Sequence, residues 1–166
     1  MEKSEERSVG VTLEVPTAED MRRLGLRLGD LLRPGDLLVL TGDLGAGKTT
    51  LTQGIGEGLK VRGPITSPTF VIARVHPSLA GGPALVHVDA YRLGGFAELD
   101  DLDLDASAEE SVTVVEWGEG LAEGLADARL EVIISRGDHS GEPGETRKVK
   151  IIGVGGRWAG LERDLR

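Results

Sequence analysis

DLLVLTGDLGAGKTT, residues 36–50, contains the strongest motif of the chain. Its first six residues, 36–41, are almost purely apolar, which predicts a strand covered on both faces in a parallel sheet. Residues 42–49 fit the pattern G-x-x-x-x-G-K-[ST] without a mismatch, and a helix is expected from about residue 48 to residue 59. This setting between a buried strand and a helix predicts a phosphate-binding loop. An ordinary glycine-rich turn is the alternative, and the flanking elements argue against it.

The residue types in this loop are those that hold a nucleoside triphosphate. Glycine lets the backbone wrap so that successive N–H groups point at phosphates, and the N-terminus of the following helix adds partial positive charge. Lys48 is expected to reach the β- and γ-phosphates, and the Thr49 hydroxyl to be one ligand of a bridging Mg²⁺. The predicted nucleotide-binding residues of the loop are Asp43, Leu44, Gly45, Ala46, Gly47, Lys48, Thr49 and Thr50.

Two carboxylates follow apolar runs further along the chain. Asp89 comes directly after residues 84–88, and Glu116 comes directly after residues 111–115. In an open α/β sheet, the acid that holds Mg²⁺ and the group that positions the attacking water lie at the carboxyl ends of neighbouring strands. Asp89 and Glu116 are therefore the candidate catalytic residues and, with Thr49, the candidate metal ligands. The spacing leaves open which acid ligates Mg²⁺ directly and which acts on water; a solvated acid at a strand edge is the alternative for each.

A hydroxyl-rich turn, TSPTF at residues 66–70, lies between the loop and these acids. Thr66, Ser67 and Thr69 are candidates for a switch that the γ-phosphate orders and hydrolysis releases. A turn held by its own hydroxyl groups is the alternative. His87 is expected to be a packed, hydrogen-bonded histidine and not a catalytic base.

The rest of the pattern predicts a mixed sheet with few helices. Thr17 and Asp20 are spaced as a helix N-cap and its reciprocal acid, and apolar residues at helical spacing predict a helix to about residue 32. We expect one α/β domain over residues 1–166, a P-loop NTPase-like three-layer sandwich with a mixed, mainly parallel central sheet and a core over about residues 8–155. Whether the tail, residues 156–166, packs on this core is left open. The predicted strands are residues 8–15, 36–41, 70–75, 84–88, 111–115, 130–135 and 149–154.

The composition excludes several other classes of protein. The chain has 166 residues with a net charge of −9, so direct binding of nucleic acid through a basic patch is not expected. Cysteine is absent, which excludes disulfides, thiolate zinc sites and a cysteine nucleophile. No apolar run approaches the ~18 residues that span a bilayer, and residues 1–10 lack the apolar core of a signal peptide. We therefore expect a cytoplasmic protein with no membrane partner. The 25 glycines indicate tight turns and close backbone approaches.

Four segments, taken in order, resemble one protein family: GDLGAGKTT at residues 42–50, TSPTF at 66–70, HVDAYRL at 87–93 and VEWGE at 115–119. The chain resembles the small bacterial P-loop ATPases of tRNA threonylcarbamoyladenosine biosynthesis, the TsaE family, formerly called YjeE. The likeness covers roughly residues 11–152. The phosphate loop is shared with many NTPases, whereas the other three segments in this order are specific to the family.

The resemblance implies ATP and Mg²⁺ as cofactors and slow ATP hydrolysis that depends on a partner complex. The partners would be a heterodimer of TsaB and TsaD, in which TsaD transfers a threonylcarbamoyl group to adenosine 37 of tRNAs that read codons beginning with A. The ATPase would reset this complex without performing the transfer, and its contact with tRNA would be mainly indirect. The resemblance also implies Thr49 and Glu116 as Mg²⁺ ligands, Asp89 acting on the Mg²⁺ shell or the water, Trp117 close to the nucleotide, and Thr17 near the adenine.

Two other functions suit a P-loop chain of this length. A small-molecule kinase closes a lid with arginines over the transferring phosphate. Residues 93–128 contain eleven acids and no Lys or Arg, which argues against such a lid. A non-catalytic assembly factor, in which ATP only holds two proteins together, is not distinguished by the sequence.

Overall fold

The computed structural model describes residues 8–42, 47–61, 73–89, 110–116, 128–136 and 146–165. Within these residues the chain forms α1 (Ala18–Leu31), α2 (Lys48–Leu59), a 3₁₀ turn (Gly156–Trp158) and α3 (Leu161–Asp164). Among these described helices, none is long and apolar enough to cross a bilayer. The strands are β1 (Ser8–Val15), β2 (Leu37–Gly42), β3 (Ala73–His76), β4 (Ala84–Asp89), β5 (Ser111–Glu116), β6 (Arg129–Arg136) and β7 (Arg147–Val154).

These strands form one mixed sheet in the order β1-β7-β6-β2-β5-β4-β3. The central strands β6, β2, β5 and β4 are parallel to one another, whereas β1, β7 and β3 pair antiparallel at the two edges. After β2 the chain builds β3, β4 and β5 on one side and then crosses to form β6 on the other side. Such a reversal opens a crevice at the carboxyl ends of the central strands, where open α/β sheets bind their ligands.

All seven predicted strands form, and the largest difference in a described boundary is at β7. The apolar pattern predicts a start at residue 149, but β7 begins at Arg147 because Glu14 and Val15 of β1 pair with Lys148 and Arg147. Backbone pairing extends the strand into residues whose side chains are polar. The predicted strand 70–75 is observed as Ala73–His76, and residues 70–72 lie outside the described part of the chain.

Strands β2 and β5, at the middle of the sheet, are buried on both faces. Leu38 and Leu40 of β2 join the main core cluster with Leu28 of α1 and with α2. Leu37 and Val39 alternate with them and are each only 3% exposed. The prediction of a strand covered on both sides is therefore confirmed, and with it the α/β class.

Helices α1 and α2 lie unusually close together because glycines face each other where they cross. A Cβ atom built on Gly25 would lie 2.2 Å from the Leu51 carbonyl oxygen, and one built on Gly54 would lie 2.1 Å from the Arg22 carbonyl oxygen. The close backbone approaches that the glycine count indicated are found here. A second pair one turn further along consists of Gly29 and Gly58.

The tail packs on the domain. Trp158, Leu161 and Leu165 are each at most 3% exposed and belong to the main core cluster. The Arg157 guanidinium lies 4.0 Å from the centre of the Trp158 ring and donates to Asp36 at 2.8 Å and 3.2 Å. It also donates to the Leu31 carbonyl at 2.8 Å. The tail therefore ties the end of α1 to the start of β2.

Candidate nucleotide-binding and active site

The end of β2 and the start of α2 frame the predicted phosphate loop. β2 ends at Gly42 and α2 begins at Lys48, so the motif has the predicted strand and helix on its two sides. Gly47 has a φ of 112°, in the left-handed region that favours glycine. Its carbonyl accepts the Leu51 N–H at 2.9 Å and so begins the hydrogen bonding of α2. The loop residues Asp43, Leu44, Gly45 and Ala46 lie outside the described part of the chain.

Lys48 joins the two ends of this loop. Its Nζ donates to the Gly42 carbonyl at 2.6 Å, and the residue is only 8% exposed. The ammonium group is therefore held at the junction of β2 and α2 and not extended into solvent. Because an ammonium group has three donors, a lysine at this place can bind phosphate oxygens together with the carbonyl.

Among the described residues, no acidic side chain lies in the first turn of α2. Gly47 provides no side-chain cap, and the first turn contains the half-buried Thr49 and Thr50. The start of α1 differs, because Thr17 accepts the Asp20 N–H at 3.1 Å and acidic side chains occupy the first turn. The N–H groups at the start of α2 thus remain suited to a phosphate, which the helix dipole also favours.

Asp89 and Glu116 end two adjacent parallel strands. The two residues are register partners, and Glu116 is also in register with Leu40 of β2, two residues before Gly42. With a rise of about 3.3 Å per residue and about 4.8 Å between strands, the Cα atoms of Glu116 and Gly42 are about 8 Å apart. The structure therefore brings both acids to the edge of the sheet where the phosphate loop opens.

His87 contacts Glu116 inside the sheet. Its Nε2 lies 2.5 Å from the Glu116 Oε2, and the side chains are 0% and 7% exposed. The expectation of a packed, hydrogen-bonded histidine is confirmed. Sequence reasoning did not identify Glu116 as its partner, because the pairing depends on the register between β4 and β5.

The start of α1 lies beside the helix end of the loop. The Met21 Cε is 3.1 Å from a Cβ atom built on Gly47, so the Met21 side chain covers that glycine. Thr17 lies one turn earlier, with its carbonyl accepting the Met21 N–H at 3.0 Å. The sequence did not predict this contact with Met21. The predicted switch residues Thr66, Ser67 and Thr69 and the predicted nucleotide neighbour Trp117 lie outside the described residues.

The oxygen ligands at this edge fit a magnesium ion that arrives with a nucleotide. Thr49 and Glu116 supply a hydroxyl and a buried carboxylate, the hard oxygen ligands that Mg²⁺ prefers. In the described ranges, no group of three or more His, Cys, Asp or Glu residues forms a site able to hold a metal by itself. Nucleotide-bound Mg²⁺ needs only one or two protein ligands, because phosphate oxygens and waters complete its shell.

Comparison with known proteins identifies the family. The model of the family described as "Threonylcarbamoyl adenosine biosynthesis protein TsaE" matches residues 15–148. This chain belongs to the TsaE family. The resemblance carried by the four sequence segments is thereby confirmed.

Relatives and a solved structure agree with membership of the TsaE family. A Streptomyces coelicolor protein named tRNA threonylcarbamoyladenosine biosynthesis protein TsaE is 63% identical over 142 residues, which cover 84% of this chain and 94% of the relative. A Bacillus subtilis protein of the same name is 36% identical over 149 residues, covering 89% and 88%. The crystal structure of Bacillus subtilis YdiB is similar in fold, with a TM-score of 0.75 and 29% identity over 96% of this chain and 95% of that one. The predicted P-loop α/β fold class is confirmed.

Proposed function

We propose that this chain binds ATP with Mg²⁺ in the loop between β2 and α2 and hydrolyses it slowly, in support of threonylcarbamoyladenosine biosynthesis in tRNA. The placement of Lys48 carries the proposal. Its buried ammonium group bonds the Gly42 carbonyl at 2.6 Å and so lies between the two ends of the loop. The names of the Streptomyces coelicolor and Bacillus subtilis relatives support the role in tRNA modification.

Each residue at this edge of the sheet has a task in the proposed reaction. The N–H groups at the start of α2 and the Lys48 ammonium would bind and orient the phosphates. Thr49 and Glu116 would hold magnesium, which neutralises the charge that develops on the phosphates. Asp89 would act on the water shell of the metal or on the attacking water. Positioning and charge stabilisation account for most of the catalysis of phosphoryl transfer, so no protein nucleophile is required.

The proposal includes a TsaB–TsaD heterodimer as the protein partner, with this chain not performing the transfer itself. The net charge of −9 disfavours direct binding to the phosphate groups of tRNA. Contact with tRNA would therefore run mainly through the partner proteins. Transition-state charge supplied by a partner accelerates related NTPases by about 10³–10⁵, which suits an ATPase that is slow alone.

Titration calorimetry with ATP and Mg²⁺ tests the nucleotide site. Lys48→Ala should abolish the binding heat because it removes the cation between the ends of the loop. Lys150→Ala is the matched control, because this lysine is exposed on β7, and it should bind as the unmodified protein does. If Lys48→Ala bound ATP tightly, the loop between β2 and α2 would not be the nucleotide-binding site.

The rate of ATP hydrolysis tests the catalytic role of Glu116. Glu116→Ala should still bind ATP, with less of the affinity that Mg²⁺ adds, and should lose phosphate release. Glu110→Ala, at an exposed acid next to the opposite end of β5, should hydrolyse ATP normally. Equal hydrolysis by Glu116→Ala and the unmodified protein would exclude Glu116 from the mechanism.

Partner capture tests the proposed place in tRNA modification. This protein, immobilised and incubated with cytosolic extract in ATP or in ADP, should retain TsaB and TsaD in amounts that depend on the nucleotide. In a separate assay, purified TsaB–TsaD should accelerate its release of phosphate from ATP. Release that needs no small-molecule acceptor supports an ATPase. Release that appears only with such an acceptor would indicate a kinase and overturn the proposal.

A further inference from the structure

The imidazole of His87 lies deep in the sheet and extends toward its carboxyl edge. His87 is in register with Val114, and Asp89 is in register with Glu116, so the contact from His87 to Glu116 runs diagonally between the strands. The Nε2 atom meets the Glu116 Oε2 at 2.5 Å with the imidazole fully buried. The ring therefore reaches the acid that the proposed function assigns to magnesium.

Core packing alone does not account for a histidine at this place. Within the described ranges, its Nδ1 atom is buried and has no hydrogen-bond partner. A buried polar atom without a partner lowers stability compared with an apolar side chain of similar size. The only hydrogen bond of the ring among the described residues is the one to Glu116. Because a carboxylate accepts and does not donate, Nε2 is the donor in this bond.

The hydrogen bond from His87 orients the Glu116 carboxylate. Its side chain is 7% exposed, and in the part of the chain that the structure describes His87 is its one hydrogen-bonding partner. A glutamate side chain has several rotatable bonds, and a single strong donor on Oε2 restricts the carboxylate to a narrow set of orientations. The other oxygen, Oε1, is then left for a cation or its water shell.

We propose that His87 is a positioning residue: its Nε2–H holds Oε2 of Glu116 so that Oε1 can bind nucleotide-associated Mg²⁺. The proposal rests on the proposed function. Groups that hold a metal-ligating side chain in place typically change metal affinity or activity by about 10–100-fold when they are removed.

Calorimetry with ATP, once in Mg²⁺ and once in a chelator, measures the contribution of the metal directly. His87→Leu should bind ATP in the chelator as the unmodified protein does but lose about 10–100-fold of the affinity that Mg²⁺ adds. His87→Gln places an amide N–H near the same position and should stay within about threefold of the unmodified protein. Thr113→Val, which replaces another buried polar side chain on β5, should leave the magnesium dependence unchanged.

Two results would overturn the proposal. One is an unchanged magnesium dependence in folded His87→Leu; the other is an equal loss in His87→Leu and His87→Gln, which would show that the donor itself is not what matters. Thermal unfolding of each variant without nucleotide reports whether it is folded, and His87→Gln keeps the test decisive if His87→Leu does not fold.

A second measurement needs no nucleotide. Nitrogen NMR of the His87 ring in the unmodified protein should show the proton on Nε2, with that signal shifted in Glu116→Gln. An Nε2 without a proton would overturn the proposed bond. If the unmodified protein bound no ATP at all, the proposed function would fail, and the ring spectrum would still decide whether His87 holds Glu116.

Discussion

Replacing Gly54 with alanine should destabilise this protein although alanine is the better helix former. The new Cβ atom would lie 2.1 Å from the Arg22 carbonyl oxygen and 3.0 Å from the Gly25 Cα atom. An ordinary carbon–oxygen contact is about 3.3 Å, so α1 and α2 would have to separate by about 1.2 Å. The atoms that clash belong to the backbone of a packed helix, so no side chain can rotate away to relieve them.

The size of the effect follows from two opposing contributions. Overpacking a well-packed contact costs typically 1–3 kcal/mol, and a backbone clash belongs near the top of that range, at about 3 kcal/mol. The higher helix propensity of alanine offsets about 1 kcal/mol. The net loss in the free energy of unfolding is about 2 kcal/mol, which lowers the thermal midpoint of a domain of this size by about 4–8 °C.

Urea and thermal unfolding followed by circular dichroism measure this loss. Gly156→Ala is the control, because a Cβ atom built there meets nothing within 4 Å, and it should change stability little. The double variant Gly25→Ala/Gly54→Ala should lose less than the sum of the single variants, since one separation of the helices relieves both clashes. A Gly54→Ala protein as stable as the unmodified one, or strictly additive losses, would refute the account of the helix contact.

Three further predictions concern the rest of the domain. Arg157→Ala should lower the free energy of unfolding by about 1–2 kcal/mol through loss of the bonds to Asp36, and Arg157→Lys should not restore it in urea unfolding because lysine lacks the planar fork. Thr17→Ala should cost about 1 kcal/mol in the same assay by removing the cap of α1, while Thr17→Ser should retain most of it. The hydrogen bond from Arg22 holds the pKa of Glu19 below its ordinary value of 4.5, so this exposed pair stabilises the fold above that pH and ceases to do so as the pH falls through the lowered pKa. Glu19→Gln should therefore lower the thermal midpoint slightly at neutral pH, with the two midpoints converging in acid; a constant gap across the titration would contradict this.

Most of the secondary structure could be predicted from the chain because its signals are local. The apolar run before the loop forms β2, and the predicted helix after the loop is observed as α2 (Lys48–Leu59). Polar residues at strand ends, such as Arg147, were harder to predict. The start of β7 is decided by backbone pairing with β1, which the pattern of apolar side chains does not reveal. The roles predicted for the switch turn and for Trp117 stay predictions.

The sequence predicted the type of site and the residues of its loop, but not the contacts between side chains from separate elements. A strand followed by a glycine loop and a helix is specified by consecutive residues, so the sequence alone determined where phosphate should bind and which residue types lie there. The contact between His87 and Glu116 joins residues 29 positions apart, and no local pattern encodes the register that brings them together. The packing of Met21 on Gly47 and of Gly25 against Gly54 likewise exists only once α1 lies on α2. Tertiary structure alone decided these pairings, because they depend on how separate strands and helices align in space.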